Sequence, residues 1–377
     1  MQINDQGVLE SKSVVSTNVK MASQDDFKSL ELKGITPLNQ ELGRGAYGKV
    51  YAVKYCKMIC AAKEIHSILV EGVGEAEIHR TIGSLLSECC QWSTLRHLNI
   101  VQFLGIYYPP VAGGTSQRMR LPVMVMEMMA DSLTSFVDKY EKIPIQIKFS
   151  IVHDVSLGLC YLHNHHPPIV HRDLSPNNIL LTAHHVAKIS DLGVAKVVRA
   201  DSRKTMTKAP GTVDFMPPEA LDKSPVYGPP MDVFSFGGII LHTFNQQWPS
   251  PSSQVQFDPK SRKMIALSEV ERRQEYVDKM IGEAEVLRSL VEECLDYDPV
   301  VRPSIATVCE RIQLSKDACM KDFPQDFIAL YQLSEQLKSD SRNEIDHLKI
   351  ENQLHKNTLE DLRTKLEKME KQQMVST

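Results

Sequence analysis

A two-lobed α+β architecture, with a small β-rich lobe leading into a larger helical one, is what this sequence predicts. Three observations carry that expectation. Short β-type stretches punctuated by Gly43, Gly45 and Gly48 occupy the region after Ile35. Beyond Met128 the pattern turns mostly helical; in Ile145–His163, apolar residues recur at Ile147, Ile151, Val155 and Leu159, the spacing of one helical face. The β part and the helical part follow one another along the chain, which suggests two lobes with a cleft between them.

Residues 1–34 are polar, rich in Ser, Asn, Gln and Lys, and show no sustained period, so they are expected to be a disordered tail. Strands are expected at Glu41–Tyr47, Lys49–Tyr55 and Met58–Lys63, then a helix over Ile82–Leu95. Further strands are expected at Val101–Ile106 and Val123–Glu127, with a Pro/Gly/Thr/Ser loop over Pro109–Gln117 between them. Residues 35–127 would form the small lobe and 128–323 the large one. Ser250–Asp258 reads as loop, and the helical region ends near Ile312–Phe323. In the tail, 324–377, Ile345, Leu348, Leu359, Leu362, Leu366 and Met369 keep a 3-4 spacing, with Asn352 and His355 in the same register. That is the pattern of a short coiled coil, and it points to self-association or partner docking through 342–373.

Composition narrows the class. The formal charge is −4 over 377 residues, and no basic face stands out against it, so a nucleic-acid partner is not expected. The 8 cysteines are scattered, without CxxC pairs, which favours reduced thiols and a cytoplasmic location. No apolar run is long enough to span a bilayer; Phe234–Phe244, interrupted by Ser235 and His242, reads as a buried helix. The histidine groups His163/His165/His166 and His184/His185 flank a loop rather than converge, so they read as structural rather than metal-binding.

The run HRDLSPNNILL, His171–Leu181, with Asp191-Leu192-Gly193 after it, bears the most chemistry. Asp173 can accept a hydroxyl proton, Asn178 can hold a metal through its amide oxygen, and Asp191 is a second metal-binding group. That inventory suits phosphoryl transfer from a nucleotide to an alcohol. His171 reads as a packed core histidine and Arg172 as a positive partner for another segment. Upstream, glycines in LGRGAYGKV, Leu42–Val50, allow a tight strand-turn-strand whose backbone N–H groups approach phosphates without Cβ interference. The residues after it, Val50, Tyr51 and Val53, are β-formers rather than a helix, which disfavours a dinucleotide-binding fold. Lys63 lies in an apolar strand, Cys60-Ala61-Ala62-Lys63, where its charge needs a charged partner. Glu88 is the natural carboxylate for it, with Leu85, Leu86, Cys89 and Trp92 burying a helical stripe alongside.

These residues, in this order, resemble the eukaryotic protein kinase family. Met216-Pro217-Pro218-Glu219 resembles the end of that family's activation segment, with Pro217 for the usual alanine. Asp232-Val233-Phe234-Ser235-Phe236-Gly237 resembles its DVWSFG run, with Phe for Trp, and Arg302 resembles the arginine that pairs with the segment-ending glutamate, here Glu219. The resemblance covers the chain from about Thr36 to Phe323. It implies a bilobal protein kinase fold using ATP and Mg²⁺, or Mn²⁺ in its place, on protein substrates. By the same analogy Leu42, Gly43, Gly45, Gly48, Val50, Ala61 and Leu180 line the nucleotide, and Met126 is a gatekeeper before a hinge at Glu127, Met128 and Met129. Asp173, Lys63, Glu88 and Arg172 would be the working groups; Asn178 and Asp191 would be the metal ligands.

The departures carry information too. Leu192 replaces the phenylalanine of the metal motif. Ser175 stands where most serine/threonine kinases have lysine, and the tyrosine kinases' alanine/arginine pair is missing as well. Gly211-Thr212 resembles the serine/threonine pattern, so the resemblance points to the tyrosine-kinase-like group with serine/threonine specificity. A tyrosine or dual-specificity kinase, and a catalytically weak scaffold acting through the coiled coil, are the alternatives. The Lys63-to-Glu88 spacing is longer than usual in the family, which implies an inserted loop within His66–Ile82. Thr205 or Thr207, set among Arg199, Arg203, Lys204 and Lys208, is the expected phosphorylation switch.

Overall fold

The β-type residues after Ile35 do assemble into one antiparallel sheet. In this computed structural model, which describes residues 28–45, 48–65, 75–109, 121–192, 215–221, 228–246, 255–258, 263–266, 277–278 and 282–320, the described chain divides into two compact units. The first unit takes the described residues up to 96, residues 101–109 and 121–129, and Asp191 and Leu192. Its strands β1 (Thr36–Gly45), β2 (Gly48–Tyr55), β3 (Met58–Ile65), β4 (Phe103–Tyr107) and β5 (Val123–Glu127) are ordered β1-β2-β3-β5-β4. Alternation sends Val53, Cys60, Ala62, Tyr107, Val123 and Val125 to one apolar cluster, against which Leu32, Ile35, Tyr51, Tyr55 and Leu104 pack.

Helix α1 (Glu75–Thr94) is amphipathic, and Leu85, Leu86, Cys89 and Trp92 are buried as their spacing implied. Trp92 stacks on Phe103 of β4 with ring centroids 5.4 Å apart, and its indole N–H donates to the Val101 carbonyl. The helix begins seven residues before the expected Ile82, so Glu75–Ile82 is not loop. Glu75, Ala76 and Glu77 are helix formers by type, which extends the helix ahead of its apolar stripe. A second correction concerns the start of the fold. Residues 28–34 were expected to be tail, yet Leu32 N donates to Ile106 O at 2.7 Å and Ile106 N to Leu30 O at 2.9 Å.

The second unit takes residues 97–100, 130–190 and the described residues from 215 onward. Its scaffold is α2 (Leu133–Lys139), α3 (Ile145–His163), α4 (Pro229–Asn245), α5 (Arg288–Cys294) and α6 (Ile305–Met320). Helix α3 has the expected bounds and packs on α4 and α6. Helix α4 is buried all round from Met231 to Phe244, the mark of a central helix. Pro229 and Pro230 open it, where missing N–H groups cost nothing, and Gln246 in the left-handed region closes it by donating its N–H to His242 O. At the end of α5, burial pushes the Cys294 thiol up to about 12, so it packs as an inert apolar group.

A small sheet, β6 (Asp131–Ser132), β7 (Ile179–Leu181) and β8 (Ala187–Ile189), frames the loop of interest. Val255–Asp258, expected within a loop, is instead strand β9, paired with β10 (Lys263–Ala266). Val255, Phe257, Met264 and Ile265 are β-formers whose signal the neighbouring Pro and Ser residues obscured. Among the described residues no helix is long and apolar enough to cross a membrane.

Gly158 of α3 is where this unit tolerates least. A Cβ there would lie 2.7 Å from Asn99 O and 2.9 Å from Ile189 Cδ1. Asn99 itself donates to Ala187 O and accepts from Ile189 N, so it has little room to give. Gly158→Ala is therefore expected to destabilise the protein by about 1–3 kcal/mol through overpacking, despite the better helix propensity of alanine. A thermal melt unchanged from that of the parent chain would contradict this.

Candidate active site

In the first unit, strand register sets out one half of the candidate groups. Val50 pairs with Lys63 and Lys63 with Met124; in the next row Ala52 pairs with Ala61 and Ala61 with Met126. Lys63 therefore rises from a sheet of small and apolar residues, with Ala52, Ala61 and Met126 buried. Its ammonium donates to Asp191 Oδ1 at 2.6 Å, the two side chains being 14% and 27% exposed. Asp191 holds φ +59, a left-handed value that a non-glycine residue adopts only under outside constraint, and the ion pair is one such constraint. Gly43 of β1 pairs with Val50, and Gly45 with Gly48, so the predicted glycine hairpin forms. Glu127 ties the end of β5 to Gln102 twice, its carboxylate accepting Gln102 N at 2.7 Å and its own N–H donating to Gln102 O. On the opposite face of the sheet, Tyr51 and Tyr107 share a hydrogen bond. Burial, and after it that bond, hold the Tyr51 phenol above its ordinary range.

In the second unit, the loop His171–Asn178 is fixed from several directions. Asp232, 1% exposed, accepts His171 N at 2.8 Å on Oδ2 and Arg172 N at 2.9 Å on Oδ1. His163 Nε2 donates to the same Oδ2 at 2.8 Å, which assigns that histidine to the scaffold. His171 Nε2 donates to Ser190 O at 2.7 Å, and its Nδ1 accepts Asp173 N at 3.3 Å, so the ring carries its proton on Nε2. Asn178 Nδ2 donates to Asp173 O at 2.7 Å, so its amide oxygen is the atom that a metal could take. The Asn178 carbonyl accepts both the N–H and the hydroxyl of Ser190. Asp173 and Asn178 are thus held together by the loop itself, and Asp191 follows Ser190 directly in the chain.

The end of the predicted activation segment is braced as expected. Arg302 grips Glu219 through both oxygens, at 2.6 and 2.9 Å, and its side chain is 0% exposed. The same guanidinium donates to Asp296 O and Pro230 O and lies 4.8 Å above the Phe234 ring. Phe234, the residue standing for the family's Trp, therefore still supplies an aromatic face to this arginine.

The structure describes most of the expected groups. Leu42, Val50, Ala61, Met126 and Glu127 belong to the sheet of the first unit, with Met128 just beyond it, whereas Leu180 belongs to β7 of the second. Leu192 is buried. Glu88 lies on α1, but its side chain, like Gly193, Thr205, Thr207 and Thr212, falls outside the described residues. The carboxylate seen against Lys63 is that of Asp191. The contribution of His163 was missed from sequence. Its helix position, on the face carrying Leu159 and Leu162 and just ahead of the loop, was the available signal.

Residues 37–312 match the sequence profile of a family described as a protein kinase domain. Among curated proteins, the dual specificity protein kinase shkA of Dictyostelium discoideum is 29% identical over 286 residues, 74% of this chain and 50% of its own length. The serine/threonine-protein kinase CTR1 of Arabidopsis thaliana is 28% identical over 282 residues, 73% of this chain and 31% of its own. Receptor-interacting serine/threonine-protein kinase 4 of Mus musculus is 28% identical over 291 residues, 75% and 34% respectively. The chain spans half or less of the length of these relatives.

Breaking a buried ion pair by removing one partner leaves the other charge uncompensated, typically at a loss of about 3–5 kcal/mol. Arg302→Ala is expected to fall in that range, and Arg302→Lys to recover only part of it, because an ammonium cannot reproduce the two-pronged grip and its carbonyl contacts. Urea unfolding of the three chains checks this; equal midpoints for the lysine variant and the parent would refute the role given to the fork.

Proposed function

The chain belongs to the protein kinase family, in its tyrosine-kinase-like group, and we propose that it transfers the γ-phosphate of ATP to serine and threonine hydroxyls of proteins. The observation that carries this reading is the loop His171–Asn178. Asp232 clamps its backbone from below, and Asn178 is bonded to the Asp173 carbonyl, so the base and the metal-binding amide are presented in a fixed relation.

In this reading Asp173 orients the acceptor hydroxyl and takes its proton as the oxygen attacks the γ-phosphorus. The bond from that phosphorus to the β-phosphate oxygen breaks, and ADP leaves. Lys63 holds the α- and β-phosphates, and the hairpin with Gly43, Gly45 and Gly48 covers them with backbone N–H groups. By the family resemblance, Val50, Ala61, Met126 and Leu180 are assigned to the adenine. Glu88 is assigned as a further carboxylate partner for Lys63. The donor set, the Asn178 amide oxygen and the Asp191 carboxylate, is hard oxygen only and suits Mg²⁺, or Mn²⁺ in its place. A metal held there would supply positive charge against the phosphates.

Phosphate on Thr205 or Thr207 would pair with Arg172 and order the segment that ends at Glu219. Residues 342–373, which lie outside the described residues, are assigned from their spacing to a short coiled coil for self-association or partner docking, self-association being the reading put to the test. Sedimentation equilibrium of the full chain at high concentration should then report a dimer, and a monomer there removes the assignment.

Phosphorylation of a peptide array by wild type, with Asp173→Ala as control, tests the activity and the acceptor together. Loss of the base is expected to lower kcat by about 10²–10⁴-fold while nucleotide still binds. Labelling confined to tyrosine peptides would replace serine/threonine by the tyrosine reading, and labelling of both classes by the dual-specificity one. Equal transfer by wild type and Asp173→Ala would leave only the scaffold.

A further inference from the structure

Residues 30–35 precede the stretch that matches the family, yet they are built into its sheet. Glu31 and Ile106 form a parallel bridge, closed by Leu32 N to Ile106 O and Ile106 N to Leu30 O. In the order β1-β2-β3-β5-β4, β4 is an edge strand whose outward amides and carbonyls need cover, and this segment supplies it. The strand is shaped for the purpose. Gly105 stands at φ +155 where the β4–β5 register shifts, and a Cβ on it would lie 2.5 Å from Leu30 O and 2.7 Å from Leu32 Cγ. Leu32 and Ile35 pack onto the apolar cluster of Val53, Cys60, Ala62, Tyr107, Val123 and Val125. They share the cover of that face with Tyr51, Tyr55 and Leu104.

The same edge strand also carries α1. Trp92 stacks on Phe103, and its indole donates to the Val101 carbonyl at the approach to β4. In turn β4 pairs with β5, and β5 with β3 at Lys63–Met124. Segment, edge strand, helix and lysine are therefore joined by direct contacts in sequence. Among the contacts described, the segment holds β4 by two backbone hydrogen bonds and packs the part-buried side chains of Leu30, Leu32 and Ile35, while Glu31 and Lys33 are exposed. A contact of that size can open without unfolding the sheet.

We propose that Lys28–Ile35 is a regulatory strap. Seated on β4, it fixes the strand and the helix α1 that bears Glu88; released, it loosens both and weakens nucleotide binding at Lys63. Whatever engages the residues before Lys28 then acts on the nucleotide site through this strap. The inference rests on the kinase reading only for its nucleotide readout.

The test uses the full chain with Leu32→Asp, which puts a charge against the apolar cluster, and Leu32→Ala as the milder variant. Hydrogen exchange of nucleotide-free protein is followed in β4 and in α1, beside KM for ATP and kcat. Leu32→Asp is expected to speed exchange in both elements by about 10-fold. It should also raise KM for ATP by about 5-fold with little change in kcat. A synthetic peptide of residues 28–36 added in trans should reverse both effects. Faster exchange confined to β4, with α1 and KM unchanged, overturns the proposal and leaves the segment a simple edge cover. If Leu32→Asp fails to fold, the same outcomes are read from Leu32→Ala, and parent-like α1 exchange there overturns it equally. A chain that transfers no phosphate at all defeats the kinase reading, while the exchange arm still decides the strap.

Discussion

Asp232 accepts the backbone N–H groups of both His171 and Arg172, and the conformation of the candidate loop His171–Asn178 depends on that double grip. Arg172 stands at φ +68, a region that costs a non-glycine residue about 1–3 kcal/mol. A hydrogen bond to a carboxylate contributes about 1.5–3 kcal/mol, so two of them outweigh the strain. The strained residue immediately precedes Asp173, and the reversal it makes is what lets the Asp173 carbonyl meet the Asn178 amide. His163, donating to the same carboxylate from α3, keeps Asp232 from turning away. Lengthening any of these contacts would let Arg172 relax to an ordinary φ and carry Asp173 with it.

Helix α4 gives this grip its rigidity, and it supports a second clamp. Asp232 sits in its first turn, beside Pro230, whose carbonyl accepts Arg302, and close to Phe234, on which Arg302 lies. One helix end thus holds the loop with Asp173 on one side and, through Arg302, Glu219 on the other. The helix can serve both because it is buried all round, so neither clamp can shift without disturbing a packed core. Ser235 adds a third tie, its hydroxyl donating to Phe215 O just ahead of Glu219.

Strong local signals were legible in the sequence. Helix α3 and strand β5 have the bounds that their periodicity implied, since long apolar stripes and buried strands leave little freedom. Lys63, Asp173, Asn178 and Asp191 were named because their spacing is that of a reaction, and the Arg302–Glu219 pair followed from family resemblance. What escaped notice depends on partners distant in the chain. Leu30, Leu32 and Ile35 show no period of their own; their meaning lies in Gly105 and the apolar face they cover. His163 looked like one of several scattered histidines until Asp232 was beside it. Lys63 was given Glu88, on a helix with a buried apolar stripe, and that side chain lies outside the described residues; the partner described for Lys63 is Asp191, whose left-handed backbone no composition reveals.

Alternation along β3 ties these observations together. Ala61 and Lys63 face one side of the sheet; Cys60 and Ala62, between and beside them, face the other, into the cluster that Leu32 and Ile35 help to close. A strand cannot move one set without moving the other, because successive side chains share the same backbone. Cover on the outer face is therefore mechanically part of the side that bears Lys63, even though no residue of 28–35 belongs to the candidate site. The same logic explains why Cys60 and Ala62 are small or weakly polar. They leave room for residues from β4, β5 and the strap to interlock above β3, and a larger side chain at either place would lift the cover from the strand that presents Lys63.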